Sequence, residues 1–84
     1  MKKIKMYTGP MCNFCDAAKR LFSRNNLSYE EIDISSKNEL REEMIKKSNG
    51  KRTIPQIFFD DKHIGGYDEV RALEKENKLQ DLLK

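Results

Sequence analysis

Lys3, Ile4, Lys5, Met6 and Tyr7 alternate polar and apolar side chains, the pattern of a short strand. Thr8-Gly9-Pro10 interrupts that run. The spacing then changes. Phe14, Ala17, Ala18, Leu21 and Phe22 recur at helical intervals, which predicts a helix with one buried face, ended by Asn25-Asn26. From Tyr29 to Ile34 the chain reads as strand again, with Ile32 and Ile34 on one face. Ser36 followed by Glu39 has the spacing of a capping box. A helix is therefore expected from about Lys37 to Lys47, turning Leu40, Met44 and Ile45 inward and stopping at Asn49-Gly50. Gln56-Ile57-Phe58-Phe59 is a compact apolar run, expected as a central strand. Asp60-Asp61 makes a tight connection to a short strand at Lys62 to Ile64. Gly65-Gly66 breaks the chain, Tyr67 or Asp68 opens a helix carrying Val70 and Leu73, and Leu79, Leu82 and Leu83 predict a last amphipathic turn.

The predicted order is β-α-β-α-β-β-α, an α/β class. The first three elements form a βαβ unit, whose crossover makes its two strands parallel. The last two strands are close enough for an antiparallel hairpin. A four-stranded mixed sheet flanked by helices follows. No repeat, low-complexity tract or linker divides the 84 residues, so a single domain over 1–84 is expected.

Composition narrows the function classes. Seventeen basic and fourteen acidic side chains give a net charge of +3, mixed along the chain and not gathered into the basic stripe of a nucleic-acid binder. The slight excess favours anionic small substrates only weakly. The lysines near the N-terminus are not followed by an apolar signal segment, and no apolar run approaches a membrane span. A cytoplasmic protein without membrane or nucleic-acid partners is the expectation.

Two cysteines are present, in the run Cys12-Asn13-Phe14-Cys15. A disulfide between them closes too small a loop to staple the fold. A zinc site normally needs four ligands, and His63, expected as a surface strand residue, is the sole histidine. Inert thiols are the plain alternative, and the context of the pair favours redox chemistry. The pair stands between a strand and a helix. A helix start offers unpaired N–H groups and the positive end of the dipole, which favour a thiolate. Cys12 is then the attacking nucleophile, and Cys15, one turn on, resolves the mixed disulfide. A cysteine pair after the first strand of a βαβ unit is the context of a thioredoxin-like redox site.

At this point the chain resembles a glutaredoxin of the thioredoxin-fold superfamily along nearly its whole length. Four motifs carry the resemblance in order: Tyr7-Thr8, Cys12-Asn13-Phe14-Cys15, Thr53-Ile54-Pro55 and Gly65-Gly66-Tyr67-Asp68. The resemblance implies glutathione-dependent reduction of protein disulfides and glutathione mixed disulfides, with no tightly bound cofactor and no metal. It implies a cis-proline at Pro55 facing the cysteines. Thr53 and Ile54 would hold the cysteinyl backbone of glutathione, Gly66, Tyr67 and Asp68 would meet its γ-glutamyl end, and Tyr7 would lie beside it. The residue bias agrees: Pro55 makes Ile54 extended, and the glycines allow close approach of backbone to a ligand.

The chain departs from the family's common pattern in two places. Asn13 and Phe14 stand where many relatives have proline and tyrosine, and Asn13 restores a backbone N–H. Relatives lacking that proline sometimes share an iron–sulfur cluster between two subunits, which supplies an alternative reading as a cluster carrier or sensor. Gly9 stands where many relatives have lysine; Gln56, Arg52 and Lys51 are then the candidates for the glycine carboxylate of glutathione. Asp16 opposes a neighbouring thiolate. Implied partners are glutathione, glutathionylated or disulfide-bonded proteins (ribonucleotide reductase among the family's clients), and, indirectly, glutathione reductase and NADPH. A monomer is expected. A third reading takes electrons from thioredoxin reductase, against which Gly66-Tyr67-Asp68 argues.

Overall fold

The computed structural model describes all residues, Met1–Lys84. The elements are β1 (Ile4–Thr8), α1 (Asn13–Arg24), β2 (Glu30–Asp33), α2 (Asn38–Lys47), β3 (Gln56–Phe59), β4 (Lys62–Gly65), α3 (Tyr67–Lys75) and α4 (Leu79–Leu83). The sheet is four-stranded in the order β2-β1-β3-β4. β1 runs parallel to β2 and antiparallel to β3, and β3 is antiparallel to β4 with a register shift between Ile57 and Phe58. This is the thioredoxin-like α/β arrangement expected from the βαβ start and the closing hairpin. No helix is long and apolar enough to cross a membrane.

The two faces of the sheet are covered unequally. Side chains alternate across a strand, so Ile4, Met6, Ile57 and Phe59 face one way and meet Ala18, Leu21 and Phe22 of α1, Val70 of α3, and Leu79 and Leu83 of α4. Tyr7 and Phe58 face the other way and meet only Ile34 and Met44, with Ile32, Leu40, Ile45 and Ile54 packed around them. β1 and β3 are therefore buried on both faces, which explains why β3 reads as a continuous apolar run.

The start of α2 departs from the sequence reading. Ser36 is not its cap. The Ser36 hydroxyl donates to the Asp33 carbonyl, while the Asp33 carboxylate accepts from the Ser35 N–H and hydroxyl at 2.8 and 2.6 Å. These bonds form a turn that uses the serines locally, a competition that Ser and Asp commonly win outside helices. The helix begins later, with Lys37 at the cap position and no side-chain cap bond.

Candidate active site

The path from β1 into α1 sets the cysteines. Met11 has φ 53°, a left-handed conformation that turns the chain sharply, and it is fully exposed. Cys12 follows in extended geometry (φ −117°, ψ 101°) as the N-cap of α1. Its Sγ takes the place of the usual capping oxygen and accepts the Cys15 N–H at 3.1 Å. Cys12 and Cys15 are joined as a disulfide, with Cα atoms 5.2 Å apart. Cys15 is buried, at 1% exposure; Cys12 is only partly covered. Of the two sulfurs, Cys12 is the one a second molecule can reach.

Across from Cys12 runs the segment before β3. The Ile54–Pro55 peptide bond is cis, and the Ile54 carbonyl oxygen lies 3.8 Å from Cys12 Sγ. Beside it opens a cleft of about 580 Å³, whose wall includes Phe14, Thr53, Ile54, Pro55, Gln56, Gly66, Tyr67 and Asp68. Gly65 has φ +131°, a conformation left to glycine, and a Cβ there would meet Glu69 Oε1 at 2.6 Å. The turn delivers Gly66 as the N-cap of α3, so that helix begins at the cleft wall with its first N–H groups lacking intrahelical partners. Phe14 stacks on Tyr67 with ring centroids 6.0 Å apart and so ties the heads of α1 and α3 together. Lys51 supplies a cation to the cleft wall, and Asp68 and Glu69 supply carboxylates. A concave site whose wall carries both a cation and carboxylates suits a zwitterionic peptide.

Most of the residues singled out in the sequence meet here, but Tyr7, Gln56 and Arg52 depart from the expectation. Tyr7 does not line the cleft. It is wholly buried on the α2 face of the sheet, because it alternates with Met6 and faces away from α1 and α3. Its hydroxyl donates to the Glu43 carboxylate. Burial, then the Glu43 carboxylate, pushes the Tyr7 phenol well above its ordinary value. Gln56 does line the cleft, yet it is only 3% exposed. Its carboxamide nitrogen donates to the Thr53 carbonyl at 3.0 Å and lies 3.1 Å from the Thr53 hydroxyl. Its oxygen faces His63 Nε2 at 2.7 Å. The polar atoms of Gln56 are thus engaged within the protein. Arg52 is absent from the cleft wall, which leaves Lys51 as its cation.

The structure adds two residues that the sequence reading did not single out. Glu69 Oε1 accepts the Gly66 N–H at 2.6 Å. A cap residue followed by glutamate three positions later is a legible signal, and Gly66 with Glu69 fits it. His63 lies in the cleft wall instead of on an open surface, and nothing in its neighbourhood along the chain signals that. Gly9 also finds an explanation: a Cβ there would meet Ile54 Cδ1 at 2.8 Å, so the isoleucine side chain fills the space above the glycine. No three His, Cys, Asp or Glu side chains are grouped to hold a metal ion.

Comparison with known proteins agrees with this geometry. The glutaredoxin family model matches residues 4–64. Glutaredoxin 3 of Escherichia coli is 44% identical over 84 residues, covering 100% of both chains. The solution structure of the Brucella melitensis glutaredoxin is similar with a TM-score of 0.86 at 45% identity, over 100% of this chain and 90% of that one. A buckwheat glutaredoxin–glutathione complex is similar with a TM-score of 0.86 at 26% identity, over 98% of this chain and 76% of that one. The chain belongs to the glutaredoxin family, whose paired cysteines carry out thiol–disulfide exchange.

Proposed function

We propose that this protein is a cytoplasmic, glutathione-dependent thiol–disulfide oxidoreductase, with residues 1–84 acting as one domain. The observation that carries the reading is the position of Cys12 Sγ. It caps α1, accepting the Cys15 N–H at 3.1 Å, and lies 3.8 Å from the backbone of Ile54 at the edge of the cleft. The buckwheat relative is named as a glutathione complex, which supports the same ligand class here.

In the reduced protein the cap position favours the Cys12 thiolate over the thiol, since a sulfur anion accepts the N–H more strongly and faces the positive helix end. This thiolate attacks the glutathione sulfur of a glutathionylated protein. The protein thiolate leaves and takes a proton from solvent, and Cys12 carries glutathione. A second glutathione thiolate attacks the glutathione sulfur of that adduct. Glutathione disulfide departs and the Cys12 thiolate returns. With a protein disulfide, Cys12 first forms a mixed disulfide with the substrate. The Cys15 thiol, having given up its proton, attacks Cys12 Sγ and expels the substrate thiolate. The Cys12–Cys15 disulfide that results is reduced by two glutathiones, and glutathione reductase and NADPH restore the pool.

The binding roles follow from the cleft. The backbone of Thr53 and Ile54, which lies outside any strand and leads into the cis Ile54–Pro55 bond, pairs with the cysteinyl part of glutathione as an added strand would. The open N–H groups at the head of α3, around Gly66, Tyr67 and Asp68, take the γ-glutamyl carboxylate. The Asp68 carboxylate meets its ammonium, and Lys51 meets the glycine carboxylate. Tyr7 takes no part in this reading.

The test is NADPH oxidation in the presence of glutathione, glutathione reductase and a small glutathione mixed disulfide. Acceleration by the reduced protein is expected. No acceleration from folded, reduced protein overturns the reading and favours coupling to thioredoxin reductase or carriage of an iron–sulfur cluster.

A further inference from the structure

Thr53, Gln56 and His63 form a continuous hydrogen-bonded chain along the cleft wall. The chain has a direction. The carboxamide nitrogen of Gln56 faces two acceptors on Thr53, its carbonyl and its hydroxyl. The carboxamide oxygen is therefore the atom presented to His63, and it can only accept. His63 Nε2 must then carry the proton. Burial holds the imidazole below its ordinary range; Glu69 opposes this and Lys51 adds to it. The neutral ring that this favours has one N–H to place, and the hydrogen bond to Gln56 places it at Nε2. The ring is held by Phe58, its cross-strand partner, at a centroid distance of 5.0 Å.

This arrangement bears on the residues that present backbone to the substrate. Thr53 and Ile54 are exposed or partly exposed and lie outside any strand. Gln56 reaches back to Thr53 across the Ile54–Pro55 step, and Gln56 is itself oriented by His63. Without the His63 N–H the carboxamide can reverse, turning its oxygen toward the Thr53 carbonyl, which cannot donate, and losing that bond, so that only the Thr53 hydroxyl remains as a partner.

We propose that His63 is a positioning residue: through Gln56 it fixes Thr53 and Ile54 in the conformation that pairs with the peptide backbone of the thiol substrate. This rests on the glutathione reading for the identity of the substrate, but not for the hydrogen-bond chain itself. His63 touches no reacting atom, so it acts on substrate capture and leaves the Cys12 sulfur unaffected.

The test has a substrate-free arm and a kinetic arm. In the wild-type protein, two-dimensional ¹⁵N spectra of the imidazole are expected to show the Nε2–H form of His63. An Nδ1–H form overturns the proposal, whatever the substrate is. In His63→Phe the ring volume is kept and the donor lost; in His63→Gln an amide N–H replaces Nε2–H. The carboxamide proton resonances of Gln56 should move in the first variant and return in the second. With a small glutathione mixed disulfide, His63→Phe should raise KM roughly fivefold to tenfold, the loss expected for one hydrogen bond, with kcat held within about twofold. His63→Gln should recover most of that KM. The alkylation rate of Cys12 by iodoacetamide, followed against pH, should be the same in all three proteins. An unchanged KM in His63→Phe, or equal impairment of both variants, overturns the proposal. If wild-type protein fails to turn over the glutathione mixed disulfide, the glutathione reading falls, and the spectra alone decide the role of His63.

Discussion

The helices α1 and α3 both bring their N-termini to the cleft, yet the two ends are finished in opposite ways. At α1 the chain supplies its own anion-forming group: Cys12 Sγ caps the helix and takes the Cys15 N–H. At α3 the cap is Gly66, which has no side chain, and only its own N–H is taken, by Glu69. One helix end is occupied by the reactive atom and the other is left open to a visitor. In the proposed function the same backbone feature, a set of unpaired N–H groups, serves activation at one end and binding at the other.

Substituting the sulfur at the filled end breaks this comparison most severely. Cys12→Ser should abolish exchange with both glutathione mixed disulfides and protein disulfides in the coupled NADPH assay. Cys15→Ser should keep the first reaction and lose the second, because in the proposed mechanism Cys15 acts only as the internal resolving thiol. Loss of both reactions in a well-folded Cys15→Ser protein overturns that division of labour.

The open end is broken by adding a side chain. Gly65→Ala places a Cβ at φ +131° and against the Glu69 carboxylate at 2.6 Å. It should lower stability in urea unfolding by about 1–3 kcal/mol and weaken binding of glutathione disulfide in calorimetry, since the turn that delivers Gly66 must move.

Glu69→Gln sharpens the comparison. It keeps an acceptor for the Gly66 N–H but removes a negative charge from the head of α3. Stability should fall by roughly 0.5–1 kcal/mol, while binding of the anionic ligand strengthens. A weaker ligand in this variant argues that Glu69 helps to hold the ligand directly.

The smallest effect concerns the far ends of the same helices. Arg24, the last residue of α1, forms two bonds to the Glu74 carboxylate of α3 at 2.8 and 2.7 Å, and Arg71 adds a third at 3.0 Å. Arg24 first, with Asn25 and Arg71 behind it, lowers the Glu74 carboxyl from 4.5 to about 2. A depressed carboxylate stabilises the fold above its unfolded pKa, and that contribution disappears as pH falls through the folded value. Part of the acid sensitivity between pH 4.5 and about 2 should therefore vanish in Glu74→Gln. Thermal melts across that range check it, and the cleft chemistry at neutral pH should be untouched.

The elements were legible because period and punctuation agree: alternation in β1, helical spacing in α1, glycine and asparagine at the breaks. The cysteine pair was legible because its placement between strand and helix already implies a cap. Ser36 misled because a serine near an aspartate has two competing uses, and the local turn took it. Tyr7 misled for a different reason. A strand buried on both faces alternates like any other, so the pattern cannot say which face looks toward the cysteines; that follows only from which helix covers which side. Gln56 and His63 are separated by a turn and meet through the β3–β4 pairing, with its shifted register. No window along the chain contains that meeting.

The order of the sheet has a consequence for the behaviour of the protein at high concentration. Its outer strands are β2 and β4, and an outer strand carries unpaired backbone groups that invite another chain. β2 shows Glu30, Glu31 and Asp33 to solvent, so two copies brought edge to edge would set like charges against one another. β4 is only four residues long, and its pairing with β3 is irregular, which spoils the straight ladder that a growing fibril needs. If the cleft takes a peptide as proposed, strand addition is confined there, and the margins of the sheet stay unattractive to further copies of the chain.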